Sequence, residues 1–226
     1  MSGPLALIGG KEWSEGCTFD AELLEASGGA EVLVLPTAAA YEHPERAVES
    51  AQRWFATMDA QVRGLMVLRR PDAEHPDNVA AVRSARFVYL GGGSPLHLRS
   101  VLKDSPLWEA LLHAWDEGAV LAASSAGAMV LCDPMVDPRG GAFTLGLGLV
   151  NGLTVIPHAN SWSPEKAQRT YQLAPPGCAV VAVDEQTALI RGPSGDGTHP
   201  SWRAAGAGTV TAWRDGEAVP LSVLGT

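Results

Sequence analysis

Short apolar runs that stop at glycine or proline recur along this chain, and amphipathic stretches separate them. That alternation is the pattern of an α/β fold, a mainly parallel sheet covered by helices. The predicted strands are Leu5–Ile8 before Gly9-Gly10, Glu31–Leu35 before Pro36, Val62–Leu68, Phe87–Leu90 before Gly91-Gly92-Gly93, and Ala119–Ser124. Helices are predicted over Phe19–Ala26 and Asp77–Ser84, from Pro44 with Ala47, Ala51, Trp54, Phe55 and Met58 on one face, along Leu107, Leu111 and Trp115 up to Gly118, and from about Ala126. Beyond Asp133 the texture changes. Pro134–Asn151 is rich in glycine and proline, followed by an apolar run over Leu153–Ile156 and a helix over Glu165–Gln172. Short strands are predicted at Val180–Val183 and Thr187–Ile190. Asp215-Gly216 is the turn of a hairpin between Thr209–Trp213 and Ala218–Leu221. The 226 residues read as one domain with a small antiparallel C-terminal portion.

Bulk chemistry removes several functions. A net charge of −9 argues against nucleic-acid or acidic-membrane partners, which need a cationic face. Arg69-Arg70 is the densest basic spot. Three cysteines (Cys17, Cys132, Cys178) form neither a disulfide framework nor a zinc pattern, which suits a reducing compartment. The N-terminus lacks a basic region and a long apolar run, and no apolar stretch reaches about 18 residues. A soluble cytoplasmic protein is the expectation.

The segment Val120-Leu-Ala-Ala-Ser-Ser-Ala-Gly-Ala-Met-Val130 sets a serine between an apolar strand and a small-residue helix start. Such an elbow lifts the side chain above the sheet and leaves unpaired helix N–H groups beside it. Ser125 is then a candidate nucleophile and the Ala126 amide an oxyanion donor. Equally, Ser124 or Ser125 can simply cap the helix.

A serine nucleophile needs a base. Of six histidines, His43 stands at a predicted helix start, His75 in a charged loop, His97 and His113 within helices, and His199 in the segment Gly192–Pro200. No pair has metal-ligand spacing, so no metal is expected. His158 follows the strand ending at Pro157, on the carboxyl edge where open α/β sheets place their sites. Asp184-Glu185 follows another apolar strand and can supply the carboxylate that orients the imidazole. Asp133 and Asp137, soon after the elbow helix, compete for that role. Gly91-Gly92-Gly93 is the best source of a second oxyanion donor, and neither it nor Gly9-Gly10-Lys11 completes a nucleotide-binding motif.

The ordered set Leu-Ile-Gly-Gly at 7–10, Leu-Pro-Thr-Ala at 35–38, Tyr-Leu-Gly-Gly-Gly at 89–93, Ser-Ser-Ala-Gly-Ala at 124–128, Leu-Gly-Leu at 147–149, His158 and Val-Asp-Glu-Gln-Thr-Ala at 183–188 resembles the serine-peptidase family of dipeptidase E and cyanophycinase. That family lies within the class I glutamine amidotransferase-like superfamily. The resemblance implies a three-layer α/β/α sandwich of flavodoxin-like type and a hydrolase without metal or cofactor. It assigns Ser125 as nucleophile, His158 as general base, Glu185 as acid on the cyanophycinase pattern (Asp133 or Asp137 on the dipeptidase E pattern), and Gly92 or Gly93 with Ala126 as oxyanion hole. Ser94-Pro95 and Ala159-Asn160-Ser161-Trp162 depart from the cyanophycinase pattern, so cleavage of the aspartate–arginine polymer is not implied. Arg99, Lys166 and Arg169 are candidate cations for an acidic substrate, and Trp162 and Trp202 candidate cleft walls. The substrate expected is a small peptide or amide, with a homodimer by analogy. An esterase or acyltransferase using the same triad, or a silent ligand-binding relative, are the alternatives.

Overall fold

The computed structural model describes residues 1–29, 31–193 and 201–224. Strands β1 (Leu5–Ile8), β2 (Glu31–Leu35), β3 (Gln61–Gly64), β4 (Phe87–Leu90) and β5 (Val120–Ser124) run parallel. Between them lie α1 (Phe19–Ala26), α2 (Pro44–Ala56), α3 (Arg70–Glu74), α4 (Pro76–Arg83), α5 (Pro95–Leu102) and α6 (Pro106–Asp116). Helix α7 (Ala126–Leu131) leaves β5 through a single residue, Ser125. There follow β6 (Leu153–Ile156), α8 (Pro164–Leu173), β7 (Ala179–Val183), β8 (Thr187–Arg191), β9 (Trp202–Gly206), β10 (Val210–Arg214) and β11 (Glu217–Val219).

The main sheet has the order β9-β8-β1-β5-β4-β2-β3, with β8 and β9 antiparallel at one side. A second sheet runs β6-β7-β10-β11. The antiparallel C-terminal strands are therefore split between two sheets and do not form one appendage. Successive strand side chains face opposite ways. Leu5 and Leu7 enter a core with Leu98, Leu107, Leu111 and Leu131, while Ala6 and Ile8 enter another with Phe19, Leu23, Ala51 and Phe55. The first core lies under α5, α6 and α7 and extends to Val155 and Val181 of the second sheet. The second lies under α1 and α2, giving helices on both faces of the main sheet.

Serine caps start several helices. Ser94, Ser105 and Ser163 accept from the N–H groups of His97, Trp108 and Lys166. One expected strand is too long. β3 ends at Gly64: Leu65 N–H makes a last bond to Val34 O of β2, and Val67 N–H then turns back on Leu65 O. The unanticipated α3 then begins with Pro71 in its first turn, and Asp72 Oδ2 accepts from the N–H groups of Leu68 and Arg69. A strand at Trp202–Gly206 was also not foreseen, since alanine and glycine dilute its β signal.

Asp20 on α1 is fully buried, with Oδ2 accepting from Trp54 Nε1 at 2.8 Å and Oδ1 unpartnered. Burial pushes its carboxyl up to about 7, against the Trp54 hydrogen bond, which pulls it down. Because the folded state holds this proton more tightly than the unfolded chain, the contribution is fully present below about pH 4. It is lost as pH rises toward 7, by on the order of 4 kcal/mol. Asp20→Asn keeps an acceptor for Trp54 and has no proton to lose. We expect it to flatten the decline in chemical-denaturation stability between pH 5 and pH 8 and to exceed the parent at pH 8.

Candidate active site

Ser125 occupies φ 49°, ψ −108°, a conformation that L-residues rarely adopt. It is held there by its own N–H donating to Ile8 O at 2.9 Å and by Met129 N–H donating to its carbonyl at 3.0 Å. Small neighbours are obligatory at this turn: a Cβ on Gly127 would stand 2.8 Å from Leu90 O. Neither serine caps α7. Ser125 makes no capping bond, and the Ser124 hydroxyl donates to Glu12 Oε2 at 2.7 Å.

Ser125 Oγ lies 2.9 Å from His158 Nε2, and His158 Nδ1 lies 3.0 Å from Glu185 Oε1. His158 follows β6 in a left-handed conformation at φ 51°. Its N–H donates to Gly9 O at 2.7 Å, and its carbonyl accepts from the N–H groups of Ser161 and Trp162. The ring rests on Gly10, where a Cβ would stand 2.1 Å from His158 Cε1. Beyond β7 the two carboxylates divide their work. Asp184 Oδ2 accepts from the N–H and hydroxyl of Thr209, closing the turn. Glu185 turns to the imidazole, its own N–H donating to Asn160 Oδ1 at 3.2 Å. Lys11 Nζ sits 2.7 Å from Glu185 Oε2. Lys11 first, and then His158, hold the Glu185 carboxyl below the usual glutamate range, so it stays ionised.

The other candidates are engaged elsewhere. Asp133 Oδ1 accepts from Gly146 N–H, and Asp137 pairs with Arg139. Arg99 Nε donates to Gly146 O, and Arg169 is exposed. Lys166 Nζ lies 4.0 Å above the ring of Trp162, which flanks His158. Trp202 is buried against Arg191 at the end of β8 farthest from Glu185, so it does not wall this cleft. His97 Nε2 is bonded to Leu68 O, and His199 lies outside the described residues. Among the described residues no group of His, Cys, Asp or Glu could hold a metal ion, and no helix is long and apolar enough to cross a membrane.

Sequence reasoning missed Lys11, Glu12 and Asn160. Glu12 Oε1 accepts from Gly92 N–H at 3.1 Å, which places this carboxylate beside the elbow. What places them here is strand order, which no local sequence pattern carries. Parallel strands end on one edge, and β1 pairs with β5 so that Ile8 stands opposite Ser124. The loop after Gly9-Gly10 must therefore border whatever Ser125 does.

A serine on a strained strand–helix elbow, hydrogen-bonded to an imidazole that is in turn bonded to an ionised carboxylate, is the constellation that serine hydrolases use. Residues 5–194 match the model of peptidase family S51, and the chain belongs to that family. It is similar to cyanophycinases of Synechococcus elongatus and Thermosynechococcus vestitus (strain NIES-2133 / IAM M-273 / BP-1). Each is 29% identical over 157 residues, 65% of this chain and 47% of the relative. The chain thus spans about half the length of those relatives. Among solved structures, a peptidase from an acI-B1 actinobacterium superposes with a TM-score of 0.82 at 30% identity, covering 97% of both chains. A protein of Listeria monocytogenes EGD-e named for peptidase E superposes at 0.67 with 18% identity, covering 90% of this chain and 98% of that one, a likeness of fold alone.

Proposed function

We propose that this chain is a serine peptidase or amidohydrolase of the class I glutamine amidotransferase-like kind, acting on a small peptide or amide by acyl transfer at Ser125. The observation that carries this reading is the unbroken relay from Ser125 Oγ to His158 Nε2 at 2.9 Å and from His158 Nδ1 to Glu185 at 3.0 Å. Glu185 accepts a hydrogen bond from Nδ1–H, which fixes the tautomer in which Nε2 is the proton acceptor. His158 takes the Ser125 proton as Oγ adds to the carbonyl carbon. The oxyanion forms against the Ala126 N–H and a glycine N–H of the 91–93 loop. His158 then gives the proton to the departing amine, and water repeats the sequence to release the acid. Three free buried cysteines, Cys17, Cys132 and Cys178, suit a reducing, cytoplasmic setting.

Purified protein treated with a fluorophosphonate probe is expected to carry one adduct, mapped to Ser125 by mass spectrometry and absent in His158→Ala. A folded protein that takes no adduct ends this reading. The acid is tested separately. Glu185→Gln is expected to lower kcat by about 10² to 10⁴, because the imidazole loses both its orientation and its counter-charge. Asp133→Asn and Asp137→Asn are expected to stay within a few-fold of the parent in the same assay.

A further inference from the structure

The N–H groups along the loop after β4 can be accounted for one at a time. Gly91 N–H donates to Leu35 O at 3.1 Å, Gly92 N–H to Glu12 Oε1 at 3.1 Å, and Ser94 N–H to Ala38 O at 2.8 Å. Gly93 N–H alone has no acceptor among the described residues, and the same holds for Ala126 N–H at the start of α7. Gly93 sits at φ 134°, where a Cβ would stand 2.3 Å from Ala38 O, so the chain can pass there only as glycine. The Glu12 carboxylate ties this loop to the elbow. One oxygen takes Gly92, the other takes the hydroxyl of Ser124, the residue before the nucleophile. A Cβ on Gly92 would lie 3.3 Å from Glu12 Oε1 and 3.4 Å from Ser125 Cβ, which measures how closely the three approach.

The loop that presents Glu12 is itself held in costly conformations, with Lys11 at φ 50° and Trp13 at φ 61°. It is pinned by Ser14 Oγ donating to Lys11 O and by Gln186 Nε2 donating to Ser14 Oγ. Glu12 therefore does not arrive at the elbow by chance of rotamer.

Resting on the serine-hydrolase reading, we propose that Glu12 is a positioning residue. By consuming the Gly92 N–H and the Ser124 hydroxyl, it locks the glycine loop so that Gly93, and not Gly92, is the second oxyanion donor beside Ala126. An amide N–H already given to a carboxylate cannot also meet a developing oxyanion without giving up a charge-assisted bond. A backbone donor fixed in advance is the form of oxyanion stabilisation that costs no reorganisation during reaction.

The test is the saturation kinetics of fluorophosphonate capture, whose phosphoryl oxygen occupies the oxyanion position. Glu12→Ala releases both bonds and is expected to lower the limiting rate by about 10² with little change in the half-saturating concentration, the size of one lost oxyanion donor. Glu12→Gln can still accept from Gly92 and donate to Ser124, and is expected to recover to within about tenfold of the parent. Ser124→Ala removes one anchor only and is expected to fall between them. Equal limiting rates in the parent and Glu12→Ala overturn the inference. So does Glu12→Gln failing as badly as Glu12→Ala while melting like the parent. A parent protein that takes no label fails the hydrolase reading instead, so the two failures are distinguishable.

Discussion

Ser125→Ala is expected to reduce hydrolysis by at least about 10⁴ while leaving the melting temperature within a few degrees of the parent. The magnitude follows from what the hydroxyl does. Without it no acyl-enzyme forms, and only binding and oxyanion stabilisation remain to assist direct attack by water. His158→Ala is expected to cost nearly as much, because the 2.9 Å contact between His158 Nε2 and Ser125 Oγ is the route by which the serine proton leaves. The double variant is the sharper measurement. Residues that act as one unit lose their joint contribution only once, so Ser125→Ala with His158→Ala should be no slower than either alone. A double variant slower by the product of the two single losses means that the residues act independently. A His158→Ala enzyme within about tenfold of the parent removes histidine from the base role.

Ser125, His158 and Glu185 were legible because each stands just past an apolar run, and parallel strands deliver their carboxyl ends to one edge. The local pattern leaves Asp184 and Glu185 open and the resemblance picks Glu185; in the structure it is Thr209, whose N–H and hydroxyl claim Asp184, that separates them. Thr209 lies 25 residues along the chain from Asp184, beyond any local pattern. Lys11 and Glu12 were hidden for a related reason. Their role depends on β1 lying beside β5, and strand order is a long-range property that hydropathy does not encode. The split of the C-terminal strands shows the same limit. β7 and β8 are separated by only three residues, yet β8 pairs with β1 while β7 pairs with β6 and β10. β3 was overextended because Leu65, Met66 and Val67 continue the apolar run after the ladder has ended.

Gly10→Ala is expected to disable the site without replacing any residue that exchanges a proton. Gly10 has φ 112°, a region that an alanine enters only under strain of roughly 1–3 kcal/mol. Its added methyl would stand 2.1 Å from His158 Cε1, 2.6 Å from Nε2 and 2.7 Å from Nδ1, well inside contact distance. The backbone around Gly10 cannot retreat, because its carbonyl accepts from Gln186 N–H at 2.8 Å and Gly9 O accepts from His158 N–H at 2.7 Å. The imidazole must therefore lift by more than about an ångström, and misplacement on that scale costs about 10² in rate. The 2.9 Å contact with Ser125 and the 3.0 Å contact with Glu185 are both made by nitrogens of this ring, so displacing it disturbs both together. Gly28→Ala is the control. Gly28 also has a positive φ, at 91°, but a Cβ there meets nothing within 4 Å. Both variants should melt a few degrees lower, and only Gly10→Ala should lose about 10² or more in kcat and in fluorophosphonate capture. If Gly10→Ala loses stability yet keeps its capture rate, the ring is held by something other than its seat on Gly10, and the clamp from Ser161 and Trp162 onto the His158 carbonyl becomes the element that sets it.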